Sequence, residues 1–153
     1  MGSACREGTT MYSPRSIPGW TVAAFGVTAL ALGAVGLAFP EAVLAILGFE
    51  TLPDASRASG DYTRVFLATS SVASLNMGVY YLVAAFTDWR PFFAFSVVFR
   101  IVSCVVFAAL VVVGLAPARF LAVAAWEGGG SVVTAIALWY ERRRAEVARA
   151  AAV

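Results

Sequence analysis

Four long apolar stretches, separated by short polar breaks, dominate this chain. The first, Trp20–Phe39, runs twenty residues without a charge. At 1.5 Å per residue it covers roughly 30 Å, the thickness of bilayer hydrocarbon. Pro40 ends it. Ala23, Gly26, Ala29, Gly33 and Gly36 recur at spacings of three and four, which predicts a small-residue face for close helix packing. Glu41–Leu52 follows, with an apolar centre too short to span. It reads as a short interfacial or re-entrant helix, and residues 53–60 read as a loop.

The second stretch, Asp61–Phe86, opens on an acid suited to cap a helix. It is polar for a membrane span: Thr69, Asn76 and Tyr80 fall on one helical face, and Asn76 is the only asparagine in the chain. After the turn Thr87–Pro91, the third stretch is Phe92–Leu115. On it Ser96, Arg100, Ser103, Cys104 and Phe107 share a face. The fourth, Phe120–Tyr140, holds Trp126, Glu127 and three consecutive glycines, with Ser131 and Thr134 on the face of Glu127. The pattern predicts an all-α protein, a four-transmembrane-helix bundle at residues 20–141 with a short interfacial helix between spans one and two. Residues 1–19 read as a disordered tail and 142–153 as a basic helical tail.

Composition supports this. The chain is 61% hydrophobic and 13% charged, with mean hydropathy +0.83, whereas soluble domains carry about 25% charged residues. All eleven positive charges are arginine. Without histidine there is no imidazole for proton transfer or metal binding. Two separated cysteines, Cys5 and Cys104, make no CxxC pair. No metal site and no cofactor are expected. The net charge of +2 leaves no nucleic-acid footprint, and Arg142, Arg143 and Arg144 read as a topology signal. With four spans both termini share a side. That side holds seven arginines (6, 15, 90, 142, 143, 144, 149), the other three (57, 64, 119), which predicts a multi-pass protein with cytoplasmic termini.

Arg100 and Glu127 are the two charges inside spans. A charge at mid-bilayer costs roughly 2.5–3.5 kcal/mol on insertion scales, so each marks a functional site until paired. Span three and span four enter from opposite faces, and each charge lies about nine residues in, roughly 14 Å. Both therefore reach the midplane of adjacent antiparallel helices, which predicts an Arg100–Glu127 ion pair. Asn76 is expected nearby, on the cytoplasmic side.

Three readings fit this constellation. In the first, the pair is structural, with Asn76 and the serines satisfying the donors left over, and helix register as the result. In the second, Arg100 and Glu127 anchor a lipophilic small molecule (an isoprenoid, quinone, sterol-like compound or lipid). Its walls would come from Asn76, Tyr80, Ser96, Ser103, Phe107, Trp126 and Ser131. The glycines would then open a groove, although they could equally serve close packing. In the third, Glu127 is the acid or base of a cofactor-independent isomerase, cyclase or epoxide-opening enzyme. Arg100 would steady charge and Tyr80 or Tyr81 would donate a second proton. A close arginine would blunt the acid role. A channel or proton relay is the remaining alternative. The partners implied are membrane lipid, a lipophilic small molecule, and a second copy or another membrane protein.

A likeness supplements this reading. Phe39–Glu41 (Phe-Pro-Glu) and Leu47–Glu50 (Leu-Gly-Phe-Glu) precede a span opening with an acid and Arg64. An arginine follows in span three and a glutamate in span four. Over residues 20–141 this resembles a domain-of-unknown-function family of small four-helix membrane proteins, DoxX-like in architecture. The resemblance implies four helices and the placing of Arg64, Arg100 and Glu127. The Gly128–Gly130 triplet and the Trp126–Glu127 dipeptide lie outside that pattern.

Overall fold

A computed structural model of the chain describes residues 13–53 and 56–152. Five α-helices account for most of them: α1 (Ile17–Ala38), α2 (Pro40–Leu47), α3 (Thr63–Thr87), α4 (Arg90–Val112) and α5 (Leu121–Ala150). A 3₁₀ turn, Ala118–Phe120, leads into α5. Four of the helices are long and apolar enough to cross a membrane. The chain thus forms an all-helical, four-helix bundle with a short helix after the first, as the apolar pattern predicts.

Each boundary has a local cause. Ser16 caps α1: its Oγ accepts from the Gly19 N–H at 3.1 Å and donates to Asp88 at the α3–α4 turn. Helix α1 therefore begins three residues before Trp20, and Pro18 and Gly19 are buried within it. Residues 13–19 belong to the fold, whereas the rest of the expected tail, with Cys5, lies outside the described residues. Pro40 ends α1 and opens α2, where its missing N–H costs nothing. Gly48 closes α2 at φ 85°, the left-handed conformation glycine tolerates. Asp61 acts one residue before the cap position, and its carboxylate accepts from the Thr63 N–H at 2.9 Å.

Packing follows residue size. Helices α1 and α3 lie closest together. Gly26 faces Gly78, and a β-carbon on Gly78 would come within 2.8 Å of the Gly26 carbonyl. A β-carbon on Gly33 would sit 2.7 Å from the Ser71 carbonyl. Small residues let these backbones approach, which is what drives helix association where lipid removes the hydrophobic incentive. Helices α4 and α5 form the second close pair, and α1 touches α5 to join the two pairs. The Thr21 and Thr134 hydroxyls meet across that junction at 3.0 Å. Helices α3 and α4 touch little despite their short turn, so a cleft opens between them.

Charges gather at the ends. At one end Glu41 receives the Arg64 Nε at 2.7 Å and Arg57 at 3.4 Å, tying α2 to α3. The Arg64 hydrogen bond is the main reason the Glu41 carboxyl is held below its ordinary range. At the other end Glu141 of α5 accepts from the Ile17 N–H at 2.9 Å and from Arg90. The start of α1, the α3–α4 turn and the basic part of α5 therefore share one end of the bundle.

Candidate functional site

Arg100 sits near the middle of α4 and is 3% exposed. Its Nε donates to Glu127 Oε2 of α5 at 3.3 Å. The ion pair anticipated from depth counting is present, joining the α4–α5 pair at mid-height. One Nη2 hydrogen makes a long bond, 3.5 Å, to the Trp126 carbonyl. The guanidinium carbon lies 3.4 Å from the centroid of the Phe25 ring on α1. Phe25 in turn stacks on Trp126 at 6.0 Å and tilts against Tyr81 at 5.1 Å.

The glycine triplet divides its work. A β-carbon on Gly130 would collide with the Arg100 guanidinium, so the bare backbone there makes room for the charge. One on Gly128 would press the Cys104 sulfur at 2.8 Å, while Gly129 faces open space. Both sequence readings of the triplet hold, at different positions, and α5 continues unbroken through it.

Two hollows meet at Arg100. A cavity of about 370 Å³ occupies the cleft between α3 and α4, lined by Tyr81, Met77, Ser103, Phe107, Trp126 and Glu127 among others. A groove of about 440 Å³ runs over the α1–α5 junction past Thr21, Gly129 and Val133. Phe25, Arg100 and Trp126 border both.

The residues proposed from sequence fall into three groups. Arg100, Glu127, Ser103, Phe107 and Trp126 line the cavity. Ser96 and Ser131 are buried but packed away from it, donating to the carbonyls of Phe93 at 2.9 Å and Gly128 at 2.7 Å. Asn76 and Tyr80 do not belong to the site: both point outward from α3, and Tyr80 is 56% exposed. The face facing α1 is set by Ser71, Leu75 and Gly78, and the cavity takes the positions beside it. Tyr81, 3% exposed, therefore occupies the place assigned to Tyr80. Phe25 is the residue that sequence reasoning missed, and Tyr81 entered it only as the alternative to Tyr80 for proton donation. Gly26 and Gly78 signal both, since each aromatic lies beside or one turn from a packed glycine.

The structural reading required Asn76 and the serines to satisfy the donors Arg100 has left. Ser103 donates to the Phe99 carbonyl at 3.1 Å and takes no hydrogen bond from Arg100, and Asn76 is exposed on the outer side of α3. A guanidinium carries five N–H donors. Two are engaged at Arg100, and its Nη1 meets no acceptor among the described residues. No group of histidine, cysteine, aspartate or glutamate that could hold a metal occurs among the described residues.

Comparison with known proteins sets nothing beside this geometry: no family model matches the chain, and no curated protein or solved structure matches it significantly.

Proposed function

We propose that this chain is a multi-pass membrane protein that binds a lipophilic small molecule with one polar group. The polar group would meet Arg100 and Glu127, and the apolar body would fill the cleft between α3 and α4. One observation carries the reading. A guanidinium buried at mid-span keeps donors without protein acceptors, and it does so at the wall of a largely apolar cavity. These donors open onto the hollows that Arg100 borders, and a ligand oxygen there would satisfy them. The cavity volume falls in the range of about 300–1,000 Å³ common to small-molecule sites. Isoprenoid alcohols, quinones, sterol-like compounds and lipids share the required chemistry. The excess of arginine on the terminal side supports cytoplasmic termini.

A second reading keeps the same cavity and adds acid–base chemistry, because the Tyr81 phenol lines it together with Glu127. Isomerisation, cyclisation or epoxide opening of a bound apolar substrate would suit those groups.

The deciding experiment is extraction in mild detergent followed by mass spectrometry of co-purifying compounds. A near-stoichiometric apolar molecule bearing a hydroxyl, carbonyl or carboxyl group is expected. A folded Arg100→Met variant should lose it, and so should Met77→Trp, which fills the cavity without touching the charges. Retention by both variants would end the proposal. If Glu127→Gln keeps the compound yet abolishes its conversion, the enzyme reading replaces simple binding.

A further inference from the structure

We propose a second and separate site, for the headgroup of an anionic phospholipid, at the bundle end where α1 begins and α5 leaves the apolar zone. Three segments that are distant in sequence build it. Arg15 comes from the lead-in to α1, Arg90 from the first residue of α4, and Arg142 and Arg144 from α5. With Ser16, Glu141 and Ala145 they enclose a basin of about 450 Å³.

The basin keeps a positive excess after its internal pairing, with four arginines against the Glu141 carboxylate. Glu141 is the one carboxylate lining it, and both its oxygens are already engaged, by the Ile17 N–H and by Arg90. Arg90 is held further by Asp88 at 3.0 Å. Arg144 lies over the Tyr140 ring, 4.7 Å from its centroid. Arg15 and Arg142 make no ion pair with a described carboxylate. Four guanidiniums thus converge on one concavity, and guanidinium is the group best shaped to grip phosphate oxygens.

A second hollow says which phosphate. Arg142 also closes a groove of about 240 Å³ between α4 and α5, lined by Ala94, Val97, Ala135, Leu138 and Trp139. A cationic basin that shares a residue with an apolar groove running along the helices matches a molecule with a phosphate head and an acyl tail. A free anion would leave the groove unused. A zwitterionic lipid would bring its own cation against the arginines. A net-negative headgroup fits both hollows.

The test uses the full chain in mild detergent and native mass spectrometry, with phosphatidylglycerol and phosphatidylcholine of identical chains. Phosphatidylglycerol should be retained in preference. Removing an interfacial arginine should weaken its retention about fivefold, and the Arg15→Gln/Arg142→Gln pair about 25-fold. Arg119→Gln, at the opposite end, should leave retention unchanged. Ala135→Phe, which blocks the groove and keeps every charge, should also weaken it. Unfolding midpoints identify variants that fail to fold, and Arg142→Gln alone then carries the comparison. Equal retention of the two lipids, or wild-type retention by the folded arginine variants, would overturn the proposal. So would full displacement of phosphatidylglycerol by an equal concentration of inorganic phosphate, which would mark a free-anion site.

Discussion

The Arg100 guanidinium sits over the Phe25 ring, its central carbon 3.4 Å from the ring centroid, a closer approach than Arg143 or Arg144 makes to its own aromatic partner. This contact ties α4 to α1 across the bundle's centre, where direct packing between the two helices is sparse. A cation on an aromatic face is worth about 2 kcal/mol when water is excluded. Phe25→Leu should therefore lower stability by about that amount, read from unfolding in detergent. In an Arg100→Met background the same change should cost much less, because the partner is already gone.

Gly129 and Gly130 are neighbours with opposite expected behaviour. Gly130→Ala puts a methyl group into the guanidinium and should destabilise by about 1–3 kcal/mol, as overpacking does. Gly129→Ala meets nothing within 4 Å and should gain about 0.5–1 kcal/mol from improved helix propensity. Thermal midpoints of the two variants, compared side by side, check the sign of each.

Tyr80 and Tyr81 form a similar pair on α3. Tyr81→Ala empties a site that is 3% exposed and should cost about 3 kcal/mol or more. Tyr80→Ala changes an outward-facing residue and should fall within about 0.5 kcal/mol of wild type. A reversed order in chemical unfolding would contradict the orientation of α3.

Acid should loosen the end of the bundle that Asp88 holds. Burial pushes the Asp88 carboxyl up, but the Ser16 hydroxyl and the Arg90 guanidinium outweigh it and hold the group below its ordinary value of 3.8. A carboxyl depressed in the folded state contributes stability in full above its unfolded value. It loses that stability as pH falls through the folded one. The unfolding midpoint should thus be flat above about pH 5 and decline below about pH 4. Glu41 and Asp61, also depressed, add to the decline. Asp88→Asn should shrink it, measured as the difference between midpoints at the two ends of the range.

The helices were legible because uninterrupted apolar length is an unambiguous signal in a membrane protein. Arg100 and Glu127 were legible as a pair because two residues nine positions into antiparallel neighbours must share a depth. The lateral facing of α3 was not. Thr69, Asn76 and Tyr80 make a consistent polar face, yet polarity did not decide which side turned inward. Gly78 and Ser71 did, because only small side chains let α3 reach α1. The serines misled for a related reason. A hydroxyl on a helix can donate to the carbonyl three or four residues back, as Ser96, Ser103 and Ser131 all do. Such residues look like polar glue in a sequence, yet they donate their proton within their own helix.

Arg100 borders both the cleft between α3 and α4 and the groove over the α1–α5 junction. A molecule held there would exchange sideways with the surrounding lipid and never cross water. Occupancy would then follow the mole fraction of that molecule in the bilayer. Diluting the vesicles in buffer would leave it unchanged, whereas diluting the ligand with bulk phospholipid would empty the site.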